Sequence, residues 1–257
     1  MLRVADYDAF AAQYDRRYEE QSYHGVELAL LECLGGEEAL DVLEVGCGTG
    51  HWLGVLATRA ARIAGLDPSA GMLARARHSV RGATLVRGRA EGLPWATGSL
   101  DRVFCVNAFH HFHAKATFLA EARRVLRSQG GLMIIGLDPH TGRDSWWVYD
   151  YFHGILALDK ERYPSGADIR TAMIRAGFRA PETREAQHIV RRMSAGAALD
   201  RNLVDRSVTS QLMILSEQEY QDGLDRIQST KDAATTRGED LVLTTDVRLY
   251  ATVGWAA

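Results

Sequence analysis

The stretch Asp41–Gly50 constrains the fold more than any other part of this 257-residue chain. It reads Asp-Val-Leu-Glu-Val-Gly-Cys-Gly-Thr-Gly, an apolar run that leads directly into a turn with three glycines. Glycine adopts backbone dihedrals that cost other residues free energy, and its missing Cβ lets a ligand approach the backbone. The pattern therefore predicts a β-strand, a ligand-binding turn and a helix after the turn.

The following residues predict an α/β domain. Short apolar runs alternate with amphipathic helical segments throughout residues 40–137. Several of these runs are continuously apolar, which is typical of parallel strands covered on both faces. The alternation predicts a doubly wound sheet with helices on both sides. Residues 194–236 are mainly helical in pattern and polar-rich, and we expect them to form an insertion before a last strand.

Composition and cysteine usage limit the classes of protein to consider. The net charge is −3 and 46% of the residues are hydrophobic. A nucleic-acid partner is not expected, since such proteins usually carry a basic stripe. No apolar stretch has the length of a membrane span or of a signal peptide. Cys33, Cys47 and Cys105 are widely spaced without a CxxC pair, which disfavours disulfides and zinc and indicates a cytoplasmic protein with reduced thiols.

An acidic residue after the second strand indicates which ligand the turn binds. Asp67 ends that strand, and a carboxylate at this place can accept both ribose hydroxyls of an adenosine. The turn lacks the GxxxxGK[ST] pattern of phosphate-binding loops. Its third glycine comes one residue earlier than in GxGxxG, which disfavours a dinucleotide and hence an NAD(P) oxidoreductase.

Several motifs together resemble those of class I S-adenosylmethionine-dependent methyltransferases. Glu44–Gly50 resembles their first motif, Asp67–Met72 their second, and Ala90–Trp95 part of the third region. Asn107–His111 resembles the branch around ubiquinone- and menaquinone-biosynthesis methyltransferases, and Tyr7–Asp15 is similar to the amino-terminal helix of that branch. The resemblance covers roughly residues 5 to 137. It implies a Rossmann-like, seven-stranded, mostly parallel sheet whose last strand is antiparallel.

The resemblance also implies a binding site for S-adenosyl-L-methionine, with S-adenosyl-L-homocysteine as the product. Gly46 and Gly48 would let the methionine part lie on the backbone, and Glu44 would orient its ammonium group. Asp67 would bind the ribose, and Met72 would pack on the adenine. The implied cofactor residues are Tyr14, Glu44, Gly46, Cys47, Gly48, Gly50, Asp67, Pro68, Met72, Arg89, Ala90, Glu91 and Asn107.

One position departs from the family pattern beside the adenine. The family often has an acidic residue before Ala90 that bonds the adenine amino group, and this chain has Arg89 there. Either this contact is lost or Glu91 supplies it. Asn107 would lie at the end of the fourth strand, beside the sulfonium.

The expected reaction is methyl transfer to a small molecule by in-line displacement, with an oxygen, nitrogen or carbon acceptor left open. His110 and His111 follow the fourth strand, where one of them could serve as a general base. Alternatively, they line the cofactor pocket or bond structurally. His113 adds to the histidine cluster, but no carboxylate or cysteine joins it at ligand spacing, so no metal is expected. The absence of an (Asn/Asp)-Pro-Pro-(Tyr/Phe) motif argues against methylation of DNA adenine or glutamine.

An aromatic run after the predicted core is the expected substrate wall. It contributes Trp146, Trp147, Tyr149, Tyr151 and His153. The alternative is an ordinary amphipathic core helix, and the sequence does not decide between them.

The expected domain organisation follows from these segments. It comprises an amino-terminal helical lid (1–36), the cofactor-binding core (37–193) and the helical insertion (194–236). The last core strand lies in 237–257, and residues 138–178 form an aromatic cap segment within the core.

Two other kinds of function stay open at this point. The fold could bind S-adenosylmethionine for a reaction without methyl transfer, such as a cyclisation, or it could act as a non-catalytic binding module. RNA as acceptor is disfavoured by the charge balance. The expected partner is a small-molecule substrate, and a homodimer is an open alternative to a monomer.

Overall fold

The computed structural model describes residues 15, 18, 22–36 and 40–257. These residues divide into two compact units. The sheet unit contains the described residues up to Asp138, together with Tyr163–Gln187 and Leu249–Ala257. The helix-rich unit contains Pro139–Arg162 and His188–Arg248.

The strands follow the predicted architecture. They are β1 (Asp41–Val45), β2 (Arg62–Asp67), β3 (Thr84–Arg87), β4 (Leu100–Val106), β5 (Leu126–Leu137), β6 (Ser145–Trp146), β7 (Phe178–Ser194) and β8 (Val242–Ala256). In the sheet unit the order is β3-β2-β1-β4-β5-β8, and β1 to β5 are mutually parallel. The second part of β8 runs antiparallel to β5, from Leu137 opposite Leu249 to Gly131 opposite Trp255. The mostly parallel α/β sheet with an antiparallel last strand is therefore confirmed.

The remaining pairings lengthen the sheet beyond the expected seven strands. β7 also pairs with β8. Within the helix-rich unit, the two-residue strand β6 pairs with β8 through Asp246 and Thr245.

Helices precede, connect and follow the strands. They are α1 (His24–Leu34), α2 (His51–Leu56), α3 (Ala70–Ser79), α4 (Lys115–Val125), α5 (Trp147–Tyr151), α6 (Ile155–Arg162), α7 (Gly166–Arg175), α8 (Ala195–Asp200), α9 (Ser210–Met213) and α10 (Glu217–Thr236). Phe109–His111 forms a single 3₁₀ turn after β4. The predicted cap of α3 is present, because Ser69 Oγ accepts a hydrogen bond from the Met72 amide. Such a cap satisfies one of the amides that a helix leaves unpaired at its start.

The core of the sheet unit lies on the inner strands, which are mostly apolar. All five residues of β1 are buried, and so are the last five of β4. Phe118, Leu119 and Ala122 of α4 pack in the same cluster and are fully buried. Because the inner strands are covered on both faces, their polar residues are buried as well, and Glu44 is one of them.

Two element bounds differ clearly from the sequence prediction. The residues Gln187–Val190 alone predict a strand, whereas β7 runs from Phe178 to Ser194. Its charged, half-exposed residues lack the apolar alternation that marks a strand. A helix was expected to begin at Ile169, but α7 begins at Gly166 because Ser165 caps it.

Among the described residues, no helix has the length and apolar character needed to cross a membrane.

Candidate functional site

The glycine turn after β1 is held by backbone hydrogen bonds to β2. The amides of Gly46 and Cys47 both donate to the Leu66 carbonyl, at 2.7 and 3.1 Å. Gly46 has φ +78°, and a Cβ there would lie 2.5 Å from the Cβ of Ala108. Only glycine fits this position without displacing the chain that follows β4. The turn therefore lies directly against the carboxyl end of β4.

Glu44, the fourth residue of β1, is a buried carboxylate. It is 1% exposed, and its Oε2 atom has no hydrogen-bond partner among the described residues. Burial raises the pKa of Glu44 well above its ordinary value, and the charge of Asp67 adds to the effect, while a backbone hydrogen bond from Leu53 opposes it. An unpartnered buried carboxylate oxygen is costly in free energy unless a ligand pairs with it. Glu44 is thus suited to binding the cationic group of a ligand.

Asp67 ends β2 and is fixed by the adjacent loops. Its Oδ2 accepts a hydrogen bond from the Gly48 amide at 2.9 Å, and its Oδ1 accepts one from the Ser69 amide at 2.9 Å. The Asp67 carbonyl accepts from Gly88, the start of the loop after β3. The carboxylate is consequently oriented between the glycine turn and the start of α3.

The expected adenine-side residues have different environments. Met72 and Ala90 are buried, at 2% and 5% exposure. Arg89 is exposed and reaches Glu91, with 3.4 Å between Nε and Oε2. Burial alone would raise the pKa of Glu91, but backbone hydrogen bonds from Ala114 and His113 lower it overall. Glu91 Oε1 therefore fixes the start of the loop before α4, and its role toward adenine stays a prediction.

Three further expected residues belong to the same turn system. The Cys47 thiol is buried, and burial raises its pKa, so that it stays protonated. Pro68 is exposed, and its carbonyl accepts a hydrogen bond from Arg87 Nε. Gly50 has φ +83° and precedes α2 directly. Tyr14 lies outside the described residues.

The chain leaving β4 connects the glycine turn with a second site. Asn107 has φ +50°, and its amide donates to the Ile135 carbonyl of β5 at 2.8 Å. Left-handed backbone at a non-glycine residue is uncommon and often marks a functional position. The next residue, Ala108, lies against Gly46, and the 3₁₀ turn of Phe109 and His110 follows it.

A pocket opens within the sheet unit at the carboxyl ends of β4 and β5. Its volume is about 360 Å³, counting the part open to solvent. The walls come from β5, β8, the turn after β4, and the segment that leads into α7. The lining residues are Phe109, His110, Ile134, Ile135, Gly136, Leu137, Asp138, Tyr163, Pro164, Gly166, Ile169, Tyr250 and Thr252. Ligands of open α/β sheets bind in the crevice outside the carboxyl ends of strands, and the pocket lies there.

His110 is enclosed by two rings at the wall of this pocket. The Tyr163 ring stacks on its imidazole, with centroids 3.9 Å apart and planes at 17°. The Tyr163 hydroxyl oxygen lies 3.0 Å from His110 Nε2. The His111 ring lies 3.8 Å from His110, at 46°. Tyr163 thus both stacks on the imidazole of His110 and forms a hydrogen bond with it.

The predicted substrate aromatics fall in the helix-rich unit. Trp147 is 4% exposed and packs edge-on against Phe152. The Tyr149 hydroxyl donates to Asp159 at 2.9 Å. None of Trp146, Trp147, Tyr149, Tyr151 and His153 lines the pocket of the sheet unit. Their role as a substrate wall stays a prediction, as does that of the insertion.

Sequence reasoning missed several pocket residues. Tyr163, Gly136 and Tyr250 carry no local motif, because they meet only through the pairing of β5 with β8 and the return of the chain at residue 163. Asp138, which directly follows β5, could have been found, since a carboxylate after a buried strand marks the functional edge of such a sheet. Among the described residues, no group of three His, Cys, Asp or Glu side chains could hold a metal ion.

The arrangement fits a ligand that carries both a cation and an adenosine. Glu44 offers an unpartnered buried oxygen, Gly46 leaves the backbone open beside it, and Asp67 presents a fixed carboxylate at the end of the next strand. S-adenosylmethionine combines an ammonium, a sulfonium and a ribose, so the residues present fit it.

Comparisons with known proteins agree with this arrangement. Residues 43–134 match the family described as methyltransferase domain. The chain is 32% identical over 190 residues to a malonyl-[acyl-carrier protein] O-methyltransferase of Laribacter hongkongensis, covering 69% of this chain and 63% of that protein. It is 32% identical over 114 residues to a demethylmenaquinone methyltransferase of Thermotoga maritima, covering 43% of this chain and 50% of that protein. The chain thus spans less than two thirds of each of these two relatives, and the resemblance predicted from the motifs is confirmed.

Solved structures show the same fold. A SAM-dependent methyltransferase of Thermotoga maritima superposes with a TM-score of 0.60 at 21% identity, over 98% of both chains. A phosphoethanolamine N-methyltransferase of Haemonchus contortus in complex with S-adenosyl-L-methionine superposes with a TM-score of 0.61 at 16% identity, over 97% of this chain and 57% of that one.

Proposed function

Because residues 43–134 form a domain of the methyltransferase family, we propose that the protein binds S-adenosyl-L-methionine and methylates a small molecule. The observation that carries the proposal is the buried Glu44 carboxylate near the end of β1, whose Oε2 has no hydrogen-bond partner among the described residues. A methyl donor with a cationic amino-acid end supplies that partner. The relatives support a small acceptor, since one is named for demethylmenaquinone and another for a malonyl group on a carrier protein.

Each residue of the turn system has a defined task in this function. Glu44 holds the ammonium group, Gly46 provides backbone without a side chain, and Asp67 binds the ribose. Asn107 and Ala108 lie where β4 ends against Gly46, beside the reacting centre. When bound, S-adenosylmethionine supplies a methyl group on a positively charged sulfur, which an acceptor atom displaces in line.

Orientation accounts for much of the rate in such a displacement. Fixing two reactants in an attack geometry can lower the barrier by ~7–11 kcal/mol, so few side chains need to act chemically. Of the predicted catalytic pair, His110 lines the pocket, which supports its proposed role as a general base. The His111 ring lies beside it, with centroids 3.8 Å apart and planes tilted by 46°.

The other predictions about the whole protein belong to this proposal. The aromatic segment around Trp146 and Trp147 contributes to substrate choice. The protein acts in the cytoplasm, consistent with three free, buried cysteines in the described chain. A homodimer is the oligomeric form to test by light scattering.

Calorimetry and product mass test the proposed function. We expect S-adenosylmethionine and S-adenosylhomocysteine to bind at micromolar to submillimolar concentrations, and Asp67→Ala to weaken both by about 10-fold or more. Asp225→Ala, an exposed aspartate on α10, is the matched control that leaves binding unchanged. Absence of binding by the wild-type protein would overturn the proposal.

Turnover against a metabolite mixture separates the alternatives. Methyl transfer adds one methyl group to a product and yields S-adenosylhomocysteine. A product of unchanged mass, with the cofactor intact, would indicate a cyclisation or a similar reaction. Binding without any turnover would indicate a binding module.

A further inference from the structure

The loop between β3 and β4 has no helix or strand of its own, yet side chains of α4 bond it at several points. It comprises residues 88–99. We propose that Glu121 and Arg124 of α4 position the first part of this loop, Gly88–Trp95 (the base loop), to receive the base of S-adenosylmethionine. Both are positioning residues, because they act on the ligand only through the loop. The inference rests on the proposed function and adds two residues to its cofactor site.

The base loop leaves the sheet beside the proposed ribose site. The Gly88 amide donates to the Asp67 carbonyl at 3.1 Å, and β2 lies between β1 and β3 in the sheet. With the ammonium group at Glu44 of β1 and the ribose at Asp67 of β2, the base of the ligand extends toward the next strand, β3. Ligands of such sheets bind outside the carboxyl ends of the strands. The base therefore meets the loop that follows β3.

Leu93 in the base loop has both of its backbone polar groups bonded to α4. Its amide donates to Glu121 Oε2 at 2.9 Å, and its carbonyl accepts from Arg124 Nη2 at 2.9 Å. Arg124 Nη1 also donates to the Trp95 carbonyl at 2.8 Å. Backbone groups of a folded chain need such partners, which in a sheet come from a neighbouring strand. Here two side chains on one face of α4 supply them, so the conformation of the loop depends on both.

Glu121 and Arg124 also orient each other. Arg124 Nε and Nη2 each lie 2.7 Å from a carboxylate oxygen of Glu121, which makes the ion pair bidentate. The hydrogen bonds from Arg124 hold the pKa of Glu121 below its ordinary value, and the Leu93 amide adds to this, whereas burial opposes it. Glu121 is thus ionised at neutral pH. The planar guanidinium bonds the carboxylate and the loop from one rigid fork, which a lysine ammonium cannot reproduce.

Glu91 attaches the same loop to the residues before α4. Its Oε1 accepts hydrogen bonds from the His113 amide at 2.8 Å and from the Ala114 amide at 3.2 Å. The base loop is thus attached to α4 and its start, whereas the glycine turn is bonded to β2 through Leu66. Loss of the ion pair on α4 should therefore change the base end of the site and leave the ammonium end as it is.

Arg124→Lys tests the ion pair, because it keeps the positive charge and removes the fork. We expect the affinity of the whole protein for S-adenosylhomocysteine to fall about 10-fold in titration calorimetry, roughly the effect of one lost hydrogen bond. In turnover, KM for S-adenosylmethionine should rise by a similar factor while kcat stays within about 2-fold, because the lost contact stabilises ground state and transition state alike.

Two ligands separate the base end of the site from its ammonium end. 5′-Methylthioadenosine carries the same base and ribose as S-adenosylhomocysteine but no amino-acid group. We expect it to bind the wild-type protein at millimolar concentrations, and Arg124→Lys to weaken both ligands by the same factor. Glu44→Gln should weaken S-adenosylhomocysteine alone, since methylthioadenosine has no ammonium group.

Arg123→Lys is the matched control. It makes the same substitution at the neighbouring position of α4, where Arg123 donates to the Gly177 carbonyl at 3.3 Å and to the Ala257 carbonyl at 2.7 Å. These contacts lie outside the base loop. We expect the affinity for both ligands to stay unchanged.

Glu121→Gln is a milder second variant, which tests the pair even if Arg124→Lys fails to fold. The glutamine oxygen can still accept from the Leu93 amide, but the ion pair with Arg124 is lost. We expect the affinity for S-adenosylhomocysteine to fall about 3-fold. The double variant should lose less than the product of the two single effects, because the two side chains act as one unit. Circular dichroism checks that each variant is folded.

The outcomes separate this inference from the proposed function. The inference is wrong, and the function stands, if the wild-type protein binds S-adenosylmethionine but the folded variants keep full affinity for S-adenosylhomocysteine. It is equally wrong if methylthioadenosine does not bind or is not weakened, or if Arg123→Lys causes an equal loss. Absence of S-adenosylmethionine binding by the wild-type protein would overturn the function and this inference with it.

Discussion

Glu44 shows how a single residue connects folding to binding. Its side chain is 1% exposed, and its Oε2 atom has no hydrogen-bond partner among the described residues. A buried carboxyl group without full pairing favours its protonated form, and the charge of Asp67 reinforces this. The residue is therefore unfavourable for the ligand-free fold and useful only when a cation is present.

Replacing Glu44 by glutamine should stabilise the free protein and weaken ligand binding. Glu44→Gln keeps the shape and removes the buried charge. We expect a Tm higher by a few degrees at pH 8, at ~2–4 °C per kcal/mol for a chain of this size. Affinity for S-adenosylhomocysteine should fall about 10- to 100-fold, because a charge-assisted hydrogen bond contributes ~1.5–3 kcal/mol. Scanning calorimetry and titration calorimetry measure the two effects.

The pH dependence of that prediction has a definite sign. In the unfolded chain Glu44 ionises near 4.5, whereas the folded state binds its proton to higher pH. Above pH 4.5 the unfolded state thus binds fewer protons, and the wild-type protein loses stability as pH rises. The Tm advantage of Glu44→Gln should grow from pH 4.5 upward and vanish below it. Glu161→Gln, an exposed glutamate on α6, is the control, and a pH-independent difference would contradict the argument.

At the residue scale, the sequence predicts the site residues that lie at short, regular spacings along the chain. Glu44, Gly46 and Asp67 were identified because a strand, a glycine turn and a carboxylate recur in one order. Tyr163 was missed because its partner His110 is 53 residues away and only the folded chain brings them together. The aromatics around Trp147 form a recognisable run, yet the run does not say whether a ring packs inward or toward a substrate.

At the scale of elements, a helix or strand can be predicted from the sequence where it has an apolar pattern or a capping residue. β1 and β4 are rich in buried apolar residues, which is the pattern that predicts inner strands of a parallel sheet. β7 was largely missed, because Arg179, Glu182 and Arg184 along it give no apolar alternation, and its order comes from pairing with β8. Hydrogen bonding between strands can thus hold a polar segment that its own residues do not predict.

The contribution of the α7 cap to stability can be measured. This helix contributes Ile169 to the pocket wall. Ser165 Oγ accepts a hydrogen bond from the Asp168 amide at 3.1 Å, and the Asp168 side chain accepts one from the Ser165 amide. Ser165→Ala removes half of this capping box, and we expect a loss of ~1 kcal/mol in the free energy of unfolding. Urea denaturation measures it.

Ser79→Ala is the matched control for that measurement. The Ser79 hydroxyl bonds the Arg75 carbonyl one turn back on α3 and is exposed. This kind of bond adds little to a helix, so the substitution should be nearly neutral. Equal losses for both substitutions would show that the cap contributes nothing specific.

At the scale of the whole molecule, the family match and the candidate site share one unit. Residues 43–134 lie entirely within the sheet unit, as do all lining residues of the pocket. The helix-rich unit comes from Pro139–Arg162 and His188–Arg248, which the family match leaves out. The motifs predicted the core up to residue 137, and the predicted core extended to residue 193, but no motif marks residues 163–187 as the segment that returns to the sheet.

The helix-rich unit has its own polar core, around Asp159. This side chain is fully buried and accepts hydrogen bonds from Tyr149 at 2.9 Å, Gln211 at 2.8 Å and Arg162 at 3.2 Å. Arg162 is itself 5% exposed. Removing one partner of a buried ion pair leaves the other charge uncompensated, which costs ~3–5 kcal/mol.

Asp159→Asn should therefore loosen the helix-rich unit selectively. Because asparagine keeps some hydrogen bonds, we expect a loss near the lower end of that range, about 3 kcal/mol. Hydrogen exchange should accelerate in α6 and α9, which carry Asp159 and Gln211, more than in β1 and β4. Asp232→Asn, at an exposed aspartate paired with Gln228, is the matched control and should leave exchange unchanged. Uniform acceleration in both units would show that they unfold as one body and that Asp159 stabilises the entire chain.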